Sequence, residues 1–284
     1  MAIQKVGVVG CGLMGSGIAE VCARSGFNVV VSEVNQKFLD KGLAAITSSL
    51  IRAAEKGKIS GQDKDAALSR IKGMVGLESF TDRDLVIEAV IENMDEKKRI
   101  FSTLDRVCPA HAILASNTSC LSVTEMAMST KRPDKVLGMH FFNPVPVMRP
   151  VEIVRTILTS EETLNTAREV SKKLGKEVIL AKDTPGFVVN RLLIPYMLDA
   201  IRVLESGVAT KEDIDNGMVL GCNHPMGPLT LSDFVGLDTL LLIADAMYDE
   251  FKNPAFAAPP LLRKMVLAGW FGRKAGKGFY DYKK

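Results

Sequence analysis

The sequence predicts an α/β fold, a doubly wound, mostly parallel Rossmann-type sheet with a C-terminal all-α domain. Three observations predict it. Short β-branched runs alternate with longer segments of helical spacing through the first half of the chain. A glycine-rich turn, Gly10-Cys-Gly12-Leu-Met-Gly15, joins the first run to the first helical segment. Beyond about residue 180 the alternation stops and helical spacing takes over.

The runs Val6-Gly-Val-Val9, Val29-Val-Val31, Leu85-Val-Ile87, Ile113-Leu114 and Val136-Leu-Gly-Met-His140 are apolar on both faces. Such strands belong in a parallel sheet covered on both sides. Leu39, Leu43, Ile46, Leu50 and Ile51 form the apolar stripe of an intervening helix. Asp183-Thr-Pro-Gly186 is a turn cluster. After it, Leu192, Leu193, Tyr196, Met197, Ala200, Ile201 and Leu204 return at helical intervals, with Pro195 a kink or early-turn residue. Between Leu237 and Met247 the second half carries only one charge, Asp245, so that helix is buried in its domain or against another subunit. The expected domains are 1–185, the dinucleotide-binding part, and 186–284, the helical part.

Composition narrows the function classes. The 284 residues suit two domains, and 47% hydrophobic with 24% charged residues is ordinary globular usage. A net charge of +3 is too mild for nucleic acid to be the main partner. The five cysteines form no CxxC pair, and with three scattered histidines they form no metal-spaced cluster. They read as reduced thiols of a cytoplasmic protein, with no metal site. The residues before the first run lack a secretory pattern, and no uncharged apolar run reaches the ~18 residues of a membrane span. A soluble, cytoplasmic protein is expected.

The glycine turn has the context a dinucleotide fingerprint requires: a strand before it, a helix after it, and Glu33 ending the second strand, twenty-three residues beyond Gly10. Gly10 permits the tight turn, Gly12 lets backbone approach a pyrophosphate, and Gly15 allows close packing of helix on strand. The helix N-terminus offers open amides and the positive end of its dipole to phosphate. A carboxylate at Glu33 accepts bonds from ribose hydroxyls and repels a 2′-phosphate, so NAD is the expected cofactor.

His140 closes a strand and Glu152 follows twelve residues later within Pro150-Val-Glu-Ile-Val154. Ligands of open α/β sheets lie beyond the carboxyl ends of the strands, where this imidazole would sit. Oxidising a secondary alcohol needs a base for the hydroxyl proton, and histidine's ordinary pKa suits that work. A buried glutamate on the far ring nitrogen would fix the tautomer. Spacing alone is also consistent with a core histidine and a surface acid on an edge strand. His111, before a strand, and His224, in a turn before Pro225, are read as structural.

With these features the sequence resembles the 3-hydroxyacyl-CoA dehydrogenase family, in particular its bacterial short-chain members, over essentially the whole chain. The most specific segments are Ser116-Asn-Thr-Ser119, His140-Phe-Phe-Asn-Pro-Val-Pro146, Asp183-Thr-Pro-Gly-Phe-Val-Val-Asn-Arg191, His224-Pro-Met-Gly-Pro228 and Gly276-Lys-Gly-Phe-Tyr280. The resemblance implies His140 as catalytic base, Glu152 as its orienting partner, and Ser119 and Asn190 as contacts to the substrate oxygen. It implies NAD contacts at Gly10, Gly12, Leu13, Met14, Gly15, Glu33, Glu92, Lys97, Ser119, Asn143 and Lys274. It also implies coenzyme A contacts at Ser49 and Lys56, which otherwise read as a solvated helix face. An acyl-CoA substrate and a homodimer through the helical domain are expected on the same ground. Glu33 in place of the common aspartate, Cys120 in place of a frequent serine, and Pro150 leave substrate preference more open than reaction type. Two rivals stand beside this reading: a dehydrogenase of a related hydroxy acid or dicarboxylic acyl-CoA, and a catalytically idle NAD-binding protein.

Overall fold

The computed structural model describes residues 3–282. The chain divides into two compact units, Met1–Thr184 and Pro185–Lys284.

In the first unit the elements run β1 (Lys5–Val9), α1 (Leu13–Arg24), β2 (Asn28–Glu33), α2 (Gln36–Glu55), α3 (Gly61–Ser69), β3 (Ile71–Val75), β4 (Leu85–Glu88), α4 (Met94–Val107), β5 (Ile113–Ser116), α5 (Val123–Ala127), β6 (Val136–Phe141), β7 (Pro150–Arg155), α6 (Glu161–Lys173) and β8 (Glu177–Lys182). The sheet order is β3-β2-β1-β4-β5-β6-β7-β8. From β3 to β6 all pairings are parallel; β7 lies antiparallel to β6, and β8 parallel to β7. The chain winds outward from β1 in one direction and from β4 in the other, which opens a crevice between the loops after these two strands.

Local sequence sets the helix starts. Asn35 caps α2 on the Phe38 amide, Asn93 caps α4 on Glu96, and Ser60 with Asp63 forms a reciprocal capping box on α3. Val6, Val8, Ile18, Val29, Val31, Ile87, Leu137, Met139 and Ile153 are buried in one apolar core. Each such side chain contributes about 1.5–3 kcal/mol by leaving water.

Two strands have no counterpart among the runs read from sequence, β3 and β8. Both are edge strands with apolar residues partly in solvent: Met74 and Val75 are 42% and 46% exposed, and Leu180 is 46% exposed. Lys72 and Gly73 in β3, and Glu177 and Lys182 in β8, dilute the apolar pattern that marks the central strands.

The second unit is helical: α7 (Val189–Glu205), α8 (Lys211–Cys222), α9 (Pro228–Val235), α10 (Leu237–Phe251) and α11 (Pro260–Leu267). Ile194, Met197, Leu198, Ile201, Leu229, Leu240, Ala244, Met247 and Leu262 form its core. Pro195 lies inside α7. Two buried aspartates knit the loops. Asp215 accepts the Leu229 and Thr230 amides at 2.8 and 3.0 Å, and Asp233 accepts those of Phe279 and Tyr280 at 3.0 and 2.9 Å. No described helix is long and apolar enough to cross a membrane.

Candidate active site

The glycine turn leaves β1 at the crevice. Gly10 holds φ +92°, a left-handed conformation, and its amide donates to the Ser32 carbonyl at 2.8 Å. A Cβ on Gly15 would meet the Gly10 carbonyl oxygen at 1.9 Å, so only glycine lets α1 start this close to the turn. A Cβ at Gly12 would meet nothing within 4 Å, so the backbone there faces open space. No side chain caps α1, and its first amides are open to an anion. The Glu33 carboxylate accepts the Cys11 amide at 2.7 Å and the Val34 amide at 3.1 Å, which ties the end of β2 to the turn.

A cavity of about 630 Å³ opens over this turn, lined by Gly10, Gly12, Leu13, Met14, Glu33 and, across it, Ile91 among others. Leu13, Val34 and Ile91 are each more than 70% exposed although large and apolar. A glycine-floored, phosphate-ready turn with an acid on one side and apolar walls fits an adenine dinucleotide.

Past the crevice, the ends of β4 and β5 carry a buried polar network. Lys97, 1% exposed, places its ammonium 2.7 Å from Glu88 Oε1 and 3.3 Å from Glu92 Oε2. Glu92 Oε1 accepts from Thr118 Oγ1 at 2.6 Å, from the Ser119 amide at 2.9 Å and from Ser119 Oγ at 3.3 Å. Burial alone would push the Glu92 carboxyl up, but the Lys97 ammonium and the Thr118 and Ser119 hydrogen bonds outweigh it and hold the group below its ordinary value. Asn117 Oδ1 accepts the Phe141 amide at 2.8 Å and so fastens this segment to the end of β6.

On β6, His140 lies directly opposite Glu152 of β7 in the antiparallel ladder. Its Nδ1 stands 2.6 Å from Glu152 Oε2, with His140 7% and Glu152 0% exposed. Charge-assisted bonds of this length are among the stronger ones a protein makes. The Phe142 ring packs against the imidazole at 4.6 Å between centroids. The alternative of an unrelated core histidine and surface acid does not hold: both groups are buried and they are bonded to each other.

The NAD binding domain of 3-hydroxyacyl-CoA dehydrogenase matches residues 5–184, and the C-terminal domain of the same family matches residues 186–282. The chain belongs to the 3-hydroxyacyl-CoA dehydrogenase family. It is therefore an NAD-dependent oxidoreductase. A 3-hydroxybutyryl-CoA dehydrogenase of Mycobacterium tuberculosis is 52% identical over 283 residues, 99% of either chain. Among solved structures, FadB2 of M. tuberculosis is 52% identical with a TM-score of 0.98, each chain covered in full. The (S)-3-hydroxybutyryl-CoA dehydrogenase PaaH1 of Ralstonia eutropha is 47% identical with a TM-score of 0.96, again over both full chains.

Within this dehydrogenase the predicted positions fall into three bonded or co-lining groups and several separate ones. Gly10, Gly12, Leu13, Met14 and Glu33 line one cavity, with Gly15 packed beneath. Glu92, Lys97 and Ser119 share one network, and His140 pairs with Glu152. Asn143 is exposed between β6 and β7. Ser49 is half-buried on α2 and Lys56 is the exposed residue capping its C-terminus, seven positions on and so on nearly the same face. Asn190 sits in the first turn of α7, in the second unit. Also in that unit, the Lys274 ammonium is paired with Asp238 at 2.6 Å.

Sequence reasoning passed over Glu88, the buried anchor of Lys97, and read Asp183 only as part of a turn and a family segment, whereas its carboxylate accepts the Val123 and Thr124 amides at 3.0 and 2.6 Å and so caps α5. An acid ending an apolar strand is the available signal for Glu88, the same one that marked Glu33. Asp183 lies about 60 residues from its partners, and no local pattern reveals such a bond.

Proposed function

We propose that this dehydrogenase interconverts (S)-3-hydroxybutyryl-CoA and acetoacetyl-CoA with NAD, and that His140 moves the proton. The single observation that carries the reading is the 2.6 Å bond from the buried His140 Nδ1 to the buried Glu152 carboxylate at the carboxyl end of β6. Glu152 holds the imidazole in one tautomer and orientation, so Nε2 is the atom that meets the substrate oxygen. In oxidation His140 Nε2 takes the C3 hydroxyl proton as C3 becomes a carbonyl; in reduction it returns the proton. Bound NAD supplies the hydride acceptor, and NADH the donor.

Gly10, Gly12, Leu13, Met14, Gly15 and Glu33 hold the adenosine and pyrophosphate, and Glu92, Lys97, Asn143 and Lys274 serve the cofactor as the resemblance implies. Ser119 bonds the substrate oxygen, with Asn190 assigned to the same task by resemblance, and Ser49 and Lys56 take the coenzyme A end. The names of the M. tuberculosis and R. eutropha relatives support a four-carbon thioester. We also place the protein in the cytoplasm, a reading supported by five free cysteines. A homodimer through the helical unit is supported by the exposed leucines Leu192, Leu220, Leu242 and Leu267.

Loss of NADH absorbance on adding acetoacetyl-CoA tests the activity, with longer and carboxylated 3-oxoacyl thioesters as competitors. His140→Ala lowers kcat by about 10²–10⁴. Turnover by that variant at the unsubstituted rate sinks the assignment.

A further inference from the structure

Neither the cofactor cradle nor the His140–Glu152 pair uses Glu88. It ends β4 with 0% exposure, at the carboxyl end of the strands where ligands of this fold class bind. Both its oxygens are engaged. Oε1 accepts from the Val90 amide and the Lys97 ammonium, each at 2.7 Å, and Oε2 accepts from Ser116 Oγ at 2.7 Å. Two paths lead away from it. One runs through Lys97 to Glu92, which accepts from Thr118 Oγ1, Ser119 N and Ser119 Oγ. The other runs through Ser116 Oγ, which accepts the Thr118 amide at 3.2 Å. The first path ends on Thr118 and Ser119, and the second on Thr118, the residue before Ser119.

We propose that Glu88 is a positioning residue for the reaction: through Lys97 and Glu92, and through Ser116 and Thr118, it fixes the backbone and hydroxyl of Ser119. The inference rests on the reading of Ser119 as a substrate contact. Fold stability does not by itself account for the cluster, because well-packed apolar groups of the same volume serve a core as well as a buried ion pair does. What charges add is direction. Three acceptor–donor contacts with fixed geometry hold one loop at the site, and a displacement of about 1 Å at a reacting group can cost on the order of 10²-fold in rate.

The test compares Ser119→Ala, Glu88→Gln and the double variant Glu88→Gln/Lys97→Met by steady-state kinetics with acetoacetyl-CoA and NADH. The double variant removes both members of the buried pair, so it folds even where the single one leaves Lys97 badly compensated. The expected result is a kcat lowered about 10–100-fold in both Glu88 variants, with the KM for NADH changed far less in Glu88→Gln, which keeps Lys97. The double variant also moves the acid limb of the pH–rate profile to higher pH. Without the Lys97 ammonium, burial raises the Glu92 carboxyl, which then protonates earlier as pH falls. A purely structural role for Glu88 would move the melting temperature and leave kcat of the folded Glu88→Gln protein in place. Unchanged kcat in Ser119→Ala overturns the reading of Ser119 and this inference with it. An impaired Ser119→Ala beside a fully active, folded double variant overturns the inference alone.

Discussion

Replacing Glu152 with glutamine keeps the size and packing of the side chain and removes its charge. The perturbed contact is the bond from Nδ1 of His140 to Oε2 of Glu152 at 2.6 Å, between groups 7% and 0% exposed. A hydrogen bond to a charged partner is worth about 1.5–3 kcal/mol. That energy stabilises the imidazolium formed when His140 accepts the hydroxyl proton in the oxidation direction. The loss therefore falls on kcat. At about 1.4 kcal/mol per factor of ten, turnover drops roughly 10–150-fold. If the new amide presents its NH₂ group to Nδ1, the wrong tautomer is held and the loss extends towards about 10⁴-fold. The assay is steady-state kcat and KM in the oxidation direction, with (S)-3-hydroxybutyryl-CoA and NAD, alongside a thermal melt. KM for NAD is expected to stay within about threefold of the unsubstituted value, because Glu152 is placed on the proton-transfer side of the reaction. A folded Glu152→Gln protein with kcat within about twofold of the unsubstituted enzyme refutes the orienting role.

Gly15→Ala forces a Cβ against the Gly10 carbonyl oxygen at 1.9 Å; overpacking of this kind costs about 1–3 kcal/mol, and NADH binding followed by fluorescence falls with it, whereas unaltered affinity and melting temperature contradict the close-packing account. Burial pushes the Cys11, Cys22 and Cys120 thiols up to about 12 and Cys108 to about 11, so alkylation of the folded protein near neutral pH labels the exposed Cys222 first. The other four react on the order of 10³-fold more slowly than a free thiol of pKa near 8.5, and peptide mass spectrometry showing equal labelling of Cys11 would overturn this. For Asp84, burial opposes ionisation, but the Gln4 and Lys5 amides and His111 outweigh it and lower the carboxyl below its ordinary value. Its stabilising contribution is therefore present above the unfolded aspartate pKa of about 3.9 and lost as pH falls through the lower folded value. Asp84→Asn flattens the acid side of the stability curve, and an acid limb identical to the parent's contradicts the assignment.

The glycine turn and its acid were legible together because these residues are local. Gly10, Gly12 and Gly15 lie within one turn, and Glu33 ends the next strand of the same βαβ unit. His140 and Glu152 were legible as candidates, since two short strands joined by a proline-rich turn commonly pair. Their alignment was not, because an antiparallel register is decided by core packing on both faces and not by the two residues themselves. The central strands declared themselves through unbroken apolar runs. The edge strands β3 and β8 did not, since half of each meets water. The network beneath Ser119 stayed hidden for a further reason. Lys97 reads in sequence as one charge among many on a helix rich in Asp, Glu, Lys and Arg, and only the approach of β4 and α4 in space buries it against Glu88.

The reversal of direction between β6 and β7 has a consequence for how this enzyme tolerates change. Because His140 and Glu152 are joined rung to rung across one ladder, their geometry is carried by main-chain bonding and not by the course of the intervening loop. Residues added around Val147 would lengthen a bulge at the rim and leave the two partners facing one another. A single residue added inside β7 ahead of Glu152 would turn every later side chain of that strand over. The carboxylate would then point into the opposite layer of helices, and a histidine without its companion would remain.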